Sequence, residues 1–151
     1  MATEFNNYAA KGNEVLQHIA KELKVPSDKA FRILTATLHA MRDHLPVNES
    51  LHILSQLPMA LKGVYVDQWD AGKRAPRIHH VSEFLDEVRG NDKILAGFDL
   101  GNDVQARKSV GAVFSVLRQY ITPGEFHDLL VTLPLEVREF ILEHIQQKEK
   151  I

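Results

Sequence analysis

Apolar residues recur at helical spacing in the stretch VPSDKAFRILTATLHAMRDHL. The positions, which are three or four residues apart, are Ala30, Leu34, Leu38, Met41 and Leu45. This spacing places them on one face of an α-helix, where they can pack against a protein core. Alternation of apolar and polar residues, which is typical of strands, does not persist anywhere in the sequence. The pattern therefore predicts an all-α fold.

The same pattern returns 76 residues later, in VQARKSVGAVFSVLRQYI. Its apolar positions are Ala106, Val110, Phe114, Leu117 and Ile121. An ungapped alignment of 30–65 with 106–141 contains seven identities, including Glu49 with Glu125. We therefore predict an internal duplication, although two unrelated amphipathic helices could share this period.

One domain, residues 1–151, suits a chain of this length. We predict two similar helical units, about 4–65 and 83–141, joined by a loop over 66–82. Each unit alone is too small to bury its apolar stripe. We therefore expect the units to pack around one core as a compact helical bundle with approximate two-fold symmetry.

Leu-Pro occurs at matching places in the two units, as Leu57-Pro58 and Leu133-Pro134. Proline disfavours helix at the preceding residue but suits the first turn of a new helix. We predict that each pair forms a corner between two helices, with the leucine buried and the proline opening the second helix.

Several polar residues are predicted to cap helices. Thr122, Pro123 and Glu125 have the spacing of a capping box, in which the threonine and glutamate side chains each accept a backbone N–H. Asn48 is the candidate cap at the matching place in the first unit. Ser27 is expected to cap the first long helix, and Ser82 the helix after the loop.

Composition limits the classes of function. The net charge is −2 and cysteine is absent, which argues against a strong field for nucleic acid and excludes disulfides and thiolate sites. No apolar run reaches the roughly 18 residues that a membrane span requires. The sequence predicts a soluble, cytoplasmic protein.

Three segments carry a resemblance to a known family: LHAMRDHLPVNESLHILSQLPMALKGVY, then Trp69 followed by EFLDEV, and ITPGEFHDLLVTLPLEVREF. In this order they resemble a bacterial family of uncharacterised proteins known as domain of unknown function 2267. The resemblance covers nearly the whole chain. It implies a small helical protein without an established reaction, so there are no catalytic residues to assign from it.

Reactive chemistry is not evident in the sequence. It has eight histidines, but none forms a recognisable metal-binding pair, so a metal site would have to be assembled from distant helices. Glu49 and Glu125 are interpreted as structural cap residues rather than acid–base catalysts. We predict a protein that is not an enzyme, with no catalytic residue, metal or cofactor.

The loop DQWDAGKRAPRIHHVSEF is the best candidate for binding, because cations and aromatic residues are close together in it. The candidate residues are Tyr65, Trp69, Lys73, Arg74, Arg77, His79 and His80. Such a set can bind a phosphate, an acidic partner or a stacked base. The alternative is a solvated linker whose tryptophan packs back on the bundle.

Our leading hypothesis is a module that binds a protein partner, through the loop or through a groove between the units. Nucleic-acid binding through a helix-turn-helix corner is the first alternative. It would need clustered cations, whereas Lys62 and Arg138 stand singly after the two prolines. A small ligand bound between the units is the second. The matched Arg42 and Arg118 are expected to bond the carbonyls at helix ends.

Overall fold

The computed structural model describes residues 3–95 and 97–149, which form helices, turns and loops without a strand. The α-helices are α1 (Glu4–Leu23), α2 (Ser27–Asp43), α3 (Val47–Leu54), α4 (Met59–Val66), α5 (Val81–Asn91), α6 (Asp103–Leu117), α7 (Pro123–Thr132) and α8 (Leu135–Glu149). A short 3-10 helix, Phe98–Leu100, precedes α6. The all-α prediction is confirmed. None of these helices is both long enough and apolar enough to cross a membrane.

Helices α2 and α6 form the centre of the bundle and contact each other. Every apolar residue of the two predicted stripes is buried. Burial extends beyond the stripes, since Ile33, Ala36 and Ala40 of α2 and Val113 and Val116 of α6 are also buried. Both helices are therefore surrounded by other helices, whereas a single apolar face would contact the core on one side only.

The remaining helices pack around this pair in a two-fold pattern. Helix α1 contacts both α2 and α6, and α5 likewise contacts both. Helix α4 packs on α1 and α2, as α8 packs on α5 and α6, and α3 meets α7. Helices α6, α7 and α8 begin 76 residues after α2, α3 and α4, respectively. These relations agree with two similar units, while a common origin of the units stays a prediction.

Both Leu-Pro pairs form corners between helices. Leu57 and Leu133 are buried, at 4 % and 2 % exposure. The prolines stand one residue before the following helix, since α4 begins at Met59 and α8 at Leu135. Our prediction that each proline is the first helical residue was therefore wrong by one position. Pro58 has φ −54° and ψ 148°, an extended conformation that directs the chain into the new helix.

Three predicted N-caps are incorrect. Helices α2 and α3 are each preceded by an extended proline, so Ser27 and Asn48 lie inside the first turn. The Ser27 hydroxyl instead accepts a hydrogen bond of 2.8 Å from the Gln17 side chain of α1. Helix α5 begins before Ser82, and Glu83 accepts the backbone N–H of His80 at 3.0 Å.

The Arg42 guanidinium joins the end of α2 to the end of α4. It is 6 % exposed and donates to the carbonyl oxygens of Tyr65 at 2.6 Å and Asp67 at 2.8 Å. Arg118, the matching residue, instead forms an exposed ion pair of 3.0 Å with Glu149. The predicted role at helix ends thus holds for Arg42, although the carbonyls belong to another helix.

We expect residues 1–66, expressed alone, to fail to fold cooperatively. Helix α1 would lose its contact with α6, and α2 would lose its contact with α5. The fragment would therefore expose its apolar stripe to water. Far-UV circular dichroism with urea titration tests this. A fragment that is monomeric and unfolds in one cooperative transition would contradict the mutual dependence of the halves.

We expect Arg42→Met to lower the free energy of unfolding by about 2–4 kcal/mol, because two carbonyls would lose a charged donor in a buried site. Arg118→Met is the matched control. It should lower the free energy of unfolding by less than about 0.5 kcal/mol, because the ion pair of Arg118 is exposed. Urea denaturation measures both. Equal losses in the two variants would contradict the structural role of Arg42.

Candidate functional site

The connection between the units runs from residue 67 to residue 80, shorter at both ends than the predicted 66–82. Its second half is attached to the bundle by a backbone hydrogen bond and by a buried side chain. The Ala75 N–H donates to the Asp43 carbonyl at 3.1 Å, and the Ile78 side chain is only 7 % exposed. The loop is therefore held against the bundle along its second half.

A groove of about 740 Å³ lies between this loop and the second Leu-Pro corner. Arg74, Arg77 and His79 line it from the loop, and residues 132–136 together with Arg138 line it from the corner. We call it the basic groove. Three of the predicted loop residues are thus brought together with Leu133 and Pro134, which the sequence had identified only as structural residues.

The charged residues of the basic groove differ in how far they are engaged. Arg138 donates to the carbonyls of Leu130 at 2.9 Å and Val131 at 3.0 Å, which fixes its guanidinium at the end of α7. Arg74 makes one long bond of 3.4 Å to the His44 carbonyl. Within residues 3–95 and 97–149, Arg74 and Arg77 form no ion pair with a carboxylate, and both are exposed. They are the cations that a ligand can reach.

Glu136 is the acidic residue of the basic groove. One of its carboxylate oxygens lies 3.0 Å from His80 Nδ1, and the other accepts the Val81 N–H at 3.2 Å. Because of these contacts, the pKa of Glu136 lies below its usual value, with His80 as the largest cause. Glu136 therefore caps α5 and ties the loop to α8. His80 takes part in this contact and does not line the groove.

The two aromatic candidates lie outside the basic groove. Tyr65 is in α4 and fully buried, and its hydroxyl is 2.6 Å from the Ser50 hydroxyl. Burial raises the pKa of Tyr65 to about 12. Trp69 is half-buried and packs edge-on against Tyr65, with ring centroids 6.0 Å apart. Lys73, which is exposed, faces Asp70 at 3.9 Å. The aromatic pair fastens the loop.

A second cluster lies where α3 meets α7. Glu49 and Glu125 occupy matching positions of the two units, and the structure brings their carboxylates together with the His52 side chain. One possible ligand atom from each of the three lies within 4.8 Å of the other two. Glu125 is 8 % exposed and the Glu49 side chain 12 %. Two carboxylates thus share a largely buried site.

The capping box predicted at α7 is half correct. The Thr122 hydroxyl accepts the Glu125 N–H at 3.2 Å. The reciprocal bond is replaced, because the Thr122 N–H donates to the Gln56 side chain at 2.7 Å. Gln56, which lies between α3 and α4 of the first unit, thereby leaves the Glu125 carboxylate free to turn inward, toward Glu49.

Burial and like charge act together on Glu125. Burial, followed by the carboxylate of Glu49, raises the pKa of Glu125 to about 7, and Asp128 adds to the effect. The His52 Nδ1 atom lies 3.9 Å from a Glu49 carboxylate oxygen. Without a bound cation, Glu125 therefore takes up a proton as the pH falls through about 7.

Sequence reasoning considered Glu49 and Glu125 but did not connect them with His52. The available signal was the spacing Glu49-x-x-His52, which places both side chains on the same side of a helix. The matching residues in α7 are Glu125 and Asp128. Helices related by an approximate two-fold axis bring equivalent residues together. The repeat could therefore have indicated a contact between the two glutamates only if the packing of α3 on α7 had been known.

A family model described as "Uncharacterized conserved protein (DUF2267)" matches residues 12–140. The chain belongs to this family. A search of curated proteins gave no match. The matched range includes every residue of the basic groove and of the carboxylate pair. The family description names no ligand or reaction, so the function of this DUF2267 protein has to be argued from its own residues.

We expect the stability of the DUF2267 protein, measured with a chelator present, to fall as pH rises from about 4.5 to 7. The folded state holds a proton on Glu125 that the unfolded state releases above its ordinary pKa. Glu125→Gln removes this titration. At pH 8 the free energy of unfolding of the variant should exceed that of the wild type by about 1–2 kcal/mol. At pH 4.5 the difference between the two proteins should be much smaller.

Urea denaturation over this pH range provides the measurement. The control is Glu139→Gln on α8, where the side chain is exposed. A Glu125→Gln protein whose stability relative to wild type is the same at pH 4.5 and pH 8 would refute the buried carboxylate pair.

Proposed function

We propose that this DUF2267 protein is a non-enzymatic binding module whose basic groove engages an acidic segment of a protein partner. The observation that carries the proposal is the convergence of Arg74 and Arg77 with the second Leu-Pro corner in one open groove. We place the module in the cytoplasm, a setting that suits a chain without cysteine.

The lining supports a peptide-like partner. Leu135 is 58 % exposed and, with Ala75 and Pro134, provides apolar surface beside the two free arginines. Guanidinium groups bind carboxylates through two parallel hydrogen bonds, which fixes both position and orientation. An extended segment with carboxylates and a small apolar side chain complements this surface.

The same residues argue against duplex nucleic acid as the partner. A site for duplex DNA typically makes six to ten phosphate contacts. Arg138 is engaged with backbone carbonyls. The negative charge of the Glu136 carboxylate would repel a phosphate backbone. Two free arginines beside a carboxylate suit a short acidic peptide better.

The test is binding of a fluorescein-labelled peptide of alternating Glu and Ala, ten residues long, measured by fluorescence anisotropy at 50 mM salt. We expect a dissociation constant on the order of 10–100 µM, since only two free cations contribute. Arg74→Glu/Arg77→Glu should weaken binding at least tenfold. A labelled 20-base-pair duplex of equal concentration should bind more weakly than the peptide.

The matched control is Lys24→Glu/Lys93→Glu, which makes the same change in net charge at exposed positions outside the groove. Its affinity for the peptide should stay within twofold of the wild type. An equal loss of peptide affinity in both double variants would show that only net charge matters. It would refute the proposal that the basic groove binds the peptide. Tighter binding of the duplex would favour nucleic acid instead.

A further inference from the structure

We propose that Glu49, His52 and Glu125 bind one divalent first-row transition metal ion, with Zn²⁺ as the representative, between α3 and α7. The site combines two carboxylates and one imidazole from two helices that are distant in sequence. It is separate from the basic groove and does not rest on the peptide-binding proposal.

The spacing of the three residues suits a metal ion. Zinc binds nitrogen and carboxylate oxygen at about 2.0–2.2 Å, so two of its ligand atoms are about 3–4 Å apart. The three ligand atoms of the cluster already lie within 4.8 Å of one another. The His52 side chain is 63 % exposed and is free to rotate, so it can close the remaining distance without moving a helix.

The second observation is the state of the two carboxylates. Oε1 of Glu49 and Oε1 of Glu125 are both inaccessible and have no hydrogen-bond donor among the described residues. A buried carboxylate oxygen without a donor is costly. A cation between the two oxygens would compensate both.

The ligand set indicates the class of ion. Imidazole nitrogen is a favourable ligand for zinc, iron, nickel and copper, whereas calcium and magnesium prefer sites made of oxygen alone. Three protein ligands leave at least one coordination position for water. Because the ligands come from both units, the ion would also join the two halves of the bundle.

The test is calorimetric titration of the full-length protein with ZnCl₂ after treatment with EDTA and its removal. We expect one site with a dissociation constant on the order of 1–10 µM, as three ligands on a preformed surface give less affinity than four. Calcium and magnesium should bind at least tenfold more weakly. Glu49→Gln and Glu125→Gln should each weaken zinc binding at least thirtyfold.

His52→Asn is the variant that does not disturb the core, because the histidine is exposed. It should weaken binding about tenfold and leave the unfolding midpoint of the metal-free protein unchanged. His127→Asn is its matched control, an exposed histidine of α7 outside the cluster. That variant should bind zinc as the wild type does.

Two further readouts separate this site from surface histidines. Zinc at 100 µM should raise the melting temperature of the wild type by several degrees through linkage to the folded state, and should not raise that of Glu125→Gln. Cobalt bound in place of zinc should show visible absorption bands that the same variant loses. Zinc affinity that is equal in the wild type and both glutamine variants, or no binding to the wild type, would overturn the proposal.

Discussion

The burial of α2 and α6 against each other is the interaction on which the rest of the structure depends. Each of these helices carries apolar residues around most of its circumference, so a single neighbouring helix cannot cover its apolar surface. Helices α1 and α5 cover both of them and cross from one unit to the other. The approximate two-fold arrangement follows, because each unit has an apolar surface that only the helices of the other unit cover.

The two-fold arrangement also explains where the unusual chemistry lies. Equivalent residues meet where α3 packs on α7, so Glu49 faces Glu125 and two like charges share a partly closed site. Such a contact is unfavourable unless a proton or a cation is held there. The loop, by contrast, occurs only once. The basic groove therefore forms at the second Leu-Pro corner, beside Arg74 and Arg77.

Much of the fold was predictable from local pattern. The apolar stripes, Leu57, Leu133 and the cap residue Thr122 lie where the spacing placed them. Apart from shifts of one or two residues in element boundaries, the errors concern polar side chains with more than one available partner. Ser27 bonds to Gln17 of another helix. The capping role expected of Glu125 is taken by Gln56, which is 66 residues away from Thr122.

The sequence by itself determined the helical class, the order of the helices and the positions of the corners, because these depend on periodicity and on the restricted backbone of proline. Only the tertiary structure decided which polar groups share an environment. It placed Tyr65 in the core, Arg77 beside the second corner and Glu125 against Glu49. Such contacts depend on distances across the fold, and periodicity along the chain does not encode them.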